Sequence, residues 1–490
     1  MTEERTQVLA YAVRGRVVAK YGGQLALMLA LLTLPPLACA LLEQNWAMAW
    51  RFGLLCSGLL LAGGMLARLP APERIQMNEA LTVTALAFLG AALLMSWPMH
   101  EVGVGFIDAL FETVSGVTTT GLSTLGNIET RSATFLFTRA WMQWYGGLGF
   151  IVLSVALLMG HQAASRRLVG SVESSTALMV TAHTHAFRTL IVYICLTVAG
   201  LALIWPLAQD GFTALLHVLS AVSTGGFSSH TASLAGLPAQ SVAVAVMAMS
   251  LLGAVSLHLY WRVGHAGWRG GARTLFTDIE LRSLLLFCLI SGSVLGLLAW
   301  QNDIAAPWYH GFMLGVSAQT TTGFTTLPVA DLDPASKLVM TLSMLVGGSV
   351  GSSAGGFKIL RLLILVRLLQ LMLRRTAMPV HAVAEPYLGE QKLEADDASR
   401  ALQLILLFIL IIFVSWIPFV LLGYDPLDAL FEVVSASGTV GLSTGIARPE
   451  LEPVLKGILC FDMLAGRVEI VALLVVLYPR TWFGRREKIA

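Results

Sequence analysis

The sequence predicts an all-α polytopic membrane protein in which four repeats of span, half-span and span surround a pseudo-four-fold axis, behind a leading helix pair. Three observations carry this. First, 56% of the 490 residues are hydrophobic, only 12% are charged and the mean hydropathy is +0.76, whereas a soluble domain carries about 25% charged residues. Second, apolar stretches of about 20 residues, the length that crosses a bilayer, recur along the whole chain. Third, one short polar phrase occurs four times: Thr118-Thr119-Thr120-Gly121-Leu122-Ser123, Ser223-Thr224-Gly225-Gly226-Phe227-Ser228, Thr320-Thr321-Thr322-Gly323-Phe324-Thr325 and Gly438-Thr439-Val440-Gly441-Leu442-Ser443.

The phrases align on Gly121, Gly226, Gly323 and Gly441, which stand 105, 97 and 118 residues apart. Those intervals exceed the 20 to 50 residues of solenoid units, so each repeat is a domain-sized unit. Six positions before each glycine stands a serine: Ser115, Ser220, Ser317 and Ser435. We read these as small packing residues behind the phrases. Thirteen positions before stand Asp108, Thr213, His310 and Asp428, of which three are good helix N-caps. A helix of about 11 residues from Asp108 to Thr118 spans roughly 16 Å, half the hydrocarbon thickness, so it enters and returns. One Thr/Gly phrase alone is an ordinary turn, but four in register bring bare backbone carbonyls to membrane depth. There they are tolerated only around a wet cavity or within protein. Four such phrases around one axis can replace the water of a cation.

Taken in order, the chain opens with Arg5, Arg14, Arg16 and Lys20 before an apolar run from Gly22 to Leu42. That run is longer than the ~7 to 15 residues of a signal core, so cleavage at Ala38-Cys39-Ala40 is not expected. Phe52 to Leu69 turns back, completing a helical hairpin over residues 1–78. The first repeat (79–165) has spans Ala80 to Met99 and Ala133 to Gly160. The second (166–275) has Thr189 to Ala208 and Ala239 to Trp261. The third (276–395) opens with Leu281 to Trp300, and the fourth (396–490) has Ala401 to Leu422 and Val454 to Leu477. In the third repeat the second span runs from Lys337 to Val346, dissolves into Gly347 to Gly356 and resumes from Phe357 to Leu373. The count is ten spans and four half-spans.

Basic residues orient the chain. With the N-terminus inside, 24 of the 31 Lys and Arg fall on the cytoplasmic side and six outside, with Arg467 left within a helix. The phrases therefore open outward. The stretch from Arg374 to Arg400, with Glu385, Glu390, Glu394, Asp396 and Asp397, reads as a cytoplasmic connector.

Two irregularities stand out. The loop Gly347, Gly348, Ser349, Val350, Gly351, Ser352, Ser353, Ala354, Gly355, Gly356 holds five glycines in ten residues, each costing about 1 kcal/mol relative to Ala in a helix. Lys358 follows it. The loop lies below the phrases as a hinge or gate; the alternative is a close helix crossing between small residues. Asp462, Arg467 and Glu469 sit inside the last span, where a charge costs about 2.5 to 3.5 kcal/mol on insertion scales. Asp462 and Arg467 are about 140° apart around a helix, so each is expected to find its partner on another element. Arg467 is either a pore residue or a structural ion-pair partner.

Other classes are weaker. The net charge of +2 comes with no basic nucleic-acid patch. Cys39, Cys56, Cys195, Cys288 and Cys460 are scattered through apolar runs and read as packing residues. His183, His185, His258 and His265 lie near cytoplasmic ends and fit no metal motif. Gly351-Ser352-Ser353-Ala354-Gly355 matches the G-x-S-x-G pattern of serine hydrolases but lacks the strand-to-helix setting and a histidine partner. Ser353→Ala would abolish such an enzyme, and the sequence alone expects that substitution to leave cation flux largely intact. A coupled secondary transporter also uses broken helices and repeats, but usually in two halves.

The phrases, the leading helix pair, Gln143-Trp144-Tyr145-Gly146-Gly147-Leu148-Gly149, the glycine-rich break and the final-helix arginine together resemble the TrkH/TrkG branch of the Trk/Ktr/HKT potassium transporter superfamily, over nearly the full length. The resemblance implies four M1-P-M2, potassium-channel-like repeats and gated potassium uptake across a bacterial inner membrane, with both termini cytoplasmic. It further implies a homodimer embedded in lipid, a cytoplasmic nucleotide-binding regulator of the TrkA type, no covalently bound cofactor and no enzymatic activity. By position, the four glycines match the filter glycines, and the carbonyls of residues 118–121, 223–226, 320–323 and 438–441 match the K+ ligands. Residues Gly347 to Gly356 match the intramembrane gating loop, and Arg467 matches the arginine below the filter. All four filter glycines are present, which favours potassium over sodium. Gly438 and Val440 depart from the pattern, lacking hydroxyls that other copies offer, and are expected to make the innermost coordination unequal.

Overall fold

The computed structural model describes residues 12–70, 75–100, 103–149, 175–377, 379, 387–388, 391–468 and 470–483. Arg5, Arg74, the 150–160 end of the first repeat's second span, Arg166, Arg167, Glu385, Glu390, Glu469 and Lys488 lie outside the described residues.

The leading pair consists of Gly15–Leu32, which continues after Thr33 as Leu34–Leu42, and Trp46–Ala67. Pro35 and Pro36 follow the break, since proline suits a first helical turn but not an interior. Helix begins seven residues before the apolar run because Arg14 is anchored to the next span. Its Nε donates to Glu79 Oε1 at 2.7 Å and its Nη2 to Oε2 at 2.9 Å. At the other end of the pair, Glu43 accepts from the backbone N–H groups of Ala133 (2.8 Å) and Thr134 (2.7 Å). A carboxylate there satisfies open N–H groups at the start of the helix over 133–149 and suits its positive end. The hairpin is thereby fastened to the first repeat.

The first spans are Met77–Ser96, Ser175–Ala208, Ile279–Gln301 and Ala395–Leu421, and the half-helices are Phe106–Val117, Gly211–Val222, Pro307–Gln319 and Pro426–Ser437. Each half-helix begins two to three residues before the expected start. Gly105, Asp210, Ala306 and Asp425 occupy the N-cap positions, and Asp210 and Asp425 accept from the N–H groups of the first turn. Asp108 and Asp428 therefore stand one turn inside, where lysines reach them from the second spans of preceding repeats. Lys456 Nζ is 2.6 Å from Asp108 Oδ1 and Lys337 Nζ is 2.7 Å from Asp428 Oδ1. In the third repeat the half-helix crosses its first span unusually closely. A methyl on Gly311 would lie 2.2 Å from Gly296 N, and one on Gly315 would lie 2.5 Å from Gly292 N. Paired small residues four apart permit that approach.

Six helices among the described residues are long and apolar enough to cross a membrane, or seven if Gln240–Gly253 and Leu257–His265, bent by 85°, form one span. The continuous second spans expected in repeats two and four are not continuous. The second-repeat span breaks at Ala254 to Ser256, and that of the fourth is divided into Pro453–Arg467 and Ile470–Leu477. The third is broken as expected, into Pro334–Val346 and Ile359–Arg375. The second-repeat break has a tertiary cause. A continuing helix would bond Leu257 N to Gly253 O, but Leu257 N donates instead to Gly351 O (3.1 Å), while Gly253 O accepts from Ser353 N (3.3 Å) and Ala254 O from Ser349 N (3.1 Å). The glycine-rich loop has taken over the hydrogen bonds of that helix. Within the connector, Tyr387–Leu388 and Gln391–Lys392 form a two-stranded antiparallel ribbon, the single sheet among the described residues.

Candidate functional site

All four half-helices end in the same way. The residue at the second place of each phrase, Thr119, Thr224, Thr321 or Thr439, has φ between +49° and +54°. Its N–H bonds the carbonyl three residues back, and the next N–H (Thr120, Gly225, Thr322, Val440) bonds the serine carbonyl five back, at 2.9, 2.7, 3.0 and 2.8 Å. This is a Schellman termination. It uses the backbone carbonyls of Ser115, Ser220, Ser317 and Ser435 and leaves the phrase carbonyls out of the helix ladder.

The aligned glycines meet in a closed ring. A methyl on Gly121 would lie 2.2 Å from Gly225 O, on Gly226 2.0 Å from Thr322 O, on Gly323 2.1 Å from Val440 O, and on Gly441 2.2 Å from Thr120 O. Each glycine also has φ between +78° and +96°, a region side chains enter only with strain. The sequence of contacts runs first repeat to second, second to third, third to fourth and fourth back to first, so the four phrases share one centre.

Three of the four serines do more than pack. Ser115 Oγ accepts from Gly121 N at 3.0 Å and Ser435 Oγ from Gly441 N at 3.1 Å. The second repeat uses a borrowed strut. Gln143, from the helix over 133–149, accepts at Oε1 from Ser220 Oγ (2.5 Å) and Phe227 N (3.1 Å) and donates through Nε2 to Gly225 O. Gln143 fills the space where a side chain at residue 225 would stand, since a methyl on Gly225 would lie 2.4 Å from Gln143 Cδ. The role of Gln143 was not read from the sequence; the missing side chain at Gly225, against Thr120, Thr322 and Val440, is the signal that points to it.

The expectation attached to Gly438 and Val440 changes. The hydroxyls of Thr118, Ser223 and Thr320 bond back to the carbonyls of Val114, Leu219 and Val316 at 2.7, 2.8 and 2.7 Å, and Thr118 and Thr320 also meet Thr120 and Thr322 at 2.8 Å. These hydroxyls serve the half-helix. Gly438 therefore forgoes a helix back-bond, and apolar Val440 accompanies it because the hydroxyl partner is missing. The second place, by contrast, is threonine in all four copies.

Below the ring lies the glycine-rich loop, with Ser352, Ser353 and Ala354 buried. It touches the inner ends of three phrases. Gly355 N donates to Thr321 Oγ1 at 2.6 Å, Gly356 N to Gly438 O at 3.0 Å, and Thr224 Oγ1 lies 3.3 Å from Ser353 Oγ. Ser353 Oγ also bonds Val222 O (3.0 Å) and Gly253 O (2.9 Å). The loop is pinned at its margins: Gln319 Nε2 donates to Gly347 O at 2.7 Å, Val350 N to Glu280 Oε2 at 2.7 Å, Ser352 Oγ to Ser349 O at 2.6 Å, and Lys358 Nζ to Ala354 O. A methyl on Gly348 would lie 2.5 Å from the Ala354 side chain, so the loop is tightly folded on itself. Arg467, fully buried, closes the fourth side, with Nη1 on Ser353 O at 2.7 Å and Nη2 on Gly146 O at 3.2 Å in the first repeat. Asp462 bonds Ser415 Oγ at 2.6 Å. Asp462 and Arg467 thus each contact another element.

The chain matches the family described as TrkH, cation transport protein, over residues 72–481. It is 30% identical to the Trk system potassium uptake protein TrkH of Escherichia coli over 392 residues, covering 76% of this chain and 79% of that protein. An uncharacterized cation transporter of Methanocaldococcus jannaschii is 28% identical over 418 residues, covering 84% of this chain and 85% of the relative. Among solved structures, the potassium transporter TrkH from Vibrio parahaemolyticus superposes with a TM-score of 0.84 at 24% identity, over 96% of this chain and all of that one, which establishes the same fold. With a polytopic helical fold, a ring of four re-entrant phrases and a match over most of its length, the chain belongs to the TrkH family of cation transport proteins, which are transporters and not enzymes.

Proposed function

We propose that this protein takes up potassium by gated, channel-like conduction, with the four phrases as its selectivity filter. The carrying observation is the closed ring of Gly121, Gly226, Gly323 and Gly441, each against the carbonyl of the next repeat. Carbonyls of residues 118–121, 223–226, 320–323 and 438–441 would replace the ion's hydration shell. The C-terminal ends of four half-helices, each worth about −0.5 charge, favour a cation at the centre. Inward movement draws about 2.3 kcal/mol per charge per 100 mV from the membrane potential.

The loop from Gly347 to Lys358, with Arg467, acts as the gate, and the described arrangement is the closed one. Its hydrogen bonds to the second, third and fourth phrases, and the bridge from Arg467 to the first repeat, support this reading. A cytoplasmic TrkA-type regulator and a second copy of the chain complete the assembly, in an inner membrane with both termini inside. The test is reconstitution of the purified chain with reversal potentials recorded under K+, Na+ and pH gradients. Channel-like conduction gives a potential that follows the K+ gradient and single-channel steps. Fixed co-movement of Na+ or H+ with K+ would replace this reading with coupled symport.

A further inference from the structure

The position nine residues before each filter glycine holds Glu112, His217, Leu314 and Glu432, on the buried faces of the half-helices. In three repeats it grips the segment just outside the glycine. Glu112 Oε1 accepts from Ser123 Oγ (2.5 Å) and Thr124 N (3.3 Å), and His217 Nε2 lies 3.0 Å from Ser228 Oγ. Glu432 accepts from Ser443 Oγ (2.8 Å), Thr444 N (3.0 Å), Thr444 Oγ1 (3.3 Å) and Ala447 N (3.1 Å). In the third repeat Leu314 has no polar group, and Thr325 N is held instead by Ser233 Oγ at 3.1 Å.

The two glutamates differ in their charge environment. Glu112 is neutralised by Arg139, whose Nε is 2.8 Å from Oε2 and whose guanidinium lies 3.8 Å over the Phe227 ring. Glu432 is fully buried, and among the described residues its partners are hydroxyl and backbone N–H groups only. Four donors of that kind fix the carboxyl group in one orientation against the segment just outside Gly441.

We propose that Glu432 is a positioning residue for the fourth filter phrase. By clamping residues 443 to 447 it sets the exit of the phrase at Gly441. The inference rests on the filter reading above and goes beyond it in naming a group that touches no ion.

The test uses the full chain in planar bilayers, with Glu432→Gln, Glu432→Ala and, in parallel, Gly441→Ser. Glu432→Ala, which loses all four clamp bonds, should lower the K+/Na+ permeability ratio roughly two- to tenfold. Glu432→Gln, which keeps one acceptor oxygen and exchanges the other for a donor, should lower it by less. An unchanged permeability ratio in both variants, with Gly441→Ser altering it, would overturn the inference and leave the filter reading standing. If Glu432→Ala does not fold, Glu432→Gln decides alone, because an unchanged permeability ratio there refutes the positioning role. A Gly441→Ser ratio equal to that of the unsubstituted chain removes the filter reading and this inference with it.

Discussion

Replacing Ser353 with alanine is the sharpest probe of the proposed gate. The Ser353 hydroxyl has one proton, shared between Gly253 O at 2.9 Å and Val222 O at 3.0 Å, and it lies 3.3 Å from Thr224 Oγ1. All of these groups are buried. Losing such a bond costs about 0.5 to 1.5 kcal/mol net, and a carbonyl left dry costs about 1 to 3. We take about 1 to 2 kcal/mol for the closed arrangement, because Ser353 N still donates to Gly253 O and Arg467 still holds Ser353 O. A withdrawn loop would give its hydroxyl to water, so the loss falls on the closed state alone. The closed-to-open ratio should then drop about five- to thirtyfold. The assay is K+ flux into proteoliposomes with single-channel open probability as the direct readout. A folded Ser353→Ala protein with wild-type open probability would refute the reasoning. The sequence alone expects a nearly silent substitution, and the bonds of Ser353 reverse that expectation.

Three further outcomes follow from the same geometry. Gly441→Ser places a side chain where φ is +96° and a methyl would lie 2.2 Å from Thr120 O, so the ring must open there and reversal potentials should move toward Na+. Gln143→Ala leaves Phe227 N and Gly225 O without the amide and should cost about 2 to 3 kcal/mol of stability, with relaxed K+ preference; denaturation midpoints in detergent and reversal potentials check both. Outside the spans, Glu129 accepts from Thr231 N and Oγ1, each at 2.6 Å. The Thr231 hydroxyl bond leads in holding its carboxyl below the usual 4.5, so the loop contact is stabilising above that pH and is lost as pH falls through the lower folded value. Glu129→Gln should flatten the acid side of a thermal-stability profile measured below pH 5.

Much of the architecture can be read from local signals. The serine six before each glycine, the five glycines in the broken helix and the charges of the last helix are all short-range features, and they mark the ring, the loop and Arg467. What escapes is set by distant partners. Gln143 acts 82 residues from Gly225, on another repeat, where no spacing rule reaches. The break at Ala254 to Ser256 contains neither glycine nor proline; it exists because Ser349, Gly351 and Ser353 compete for its hydrogen bonds. The half-helix starts are misread from Asp108 and Asp428 because acidic residues suit the first turn of a helix as well as its cap. The threonine and serine hydroxyls at the first place carry no local sign of their partners, and only their distances show that they donate back to half-helix carbonyls.

The single loop under four quarters has a consequence for how such a device can arise. Four identical subunits would each bring a copy of any insertion, and four inserts would collide on the axis. Joining the quarters in one polypeptide frees three of them from that obligation, so one quarter can grow a stopper while the others shape seats for it. Covalent fusion of the four repeats thereby converts symmetry into division of labour.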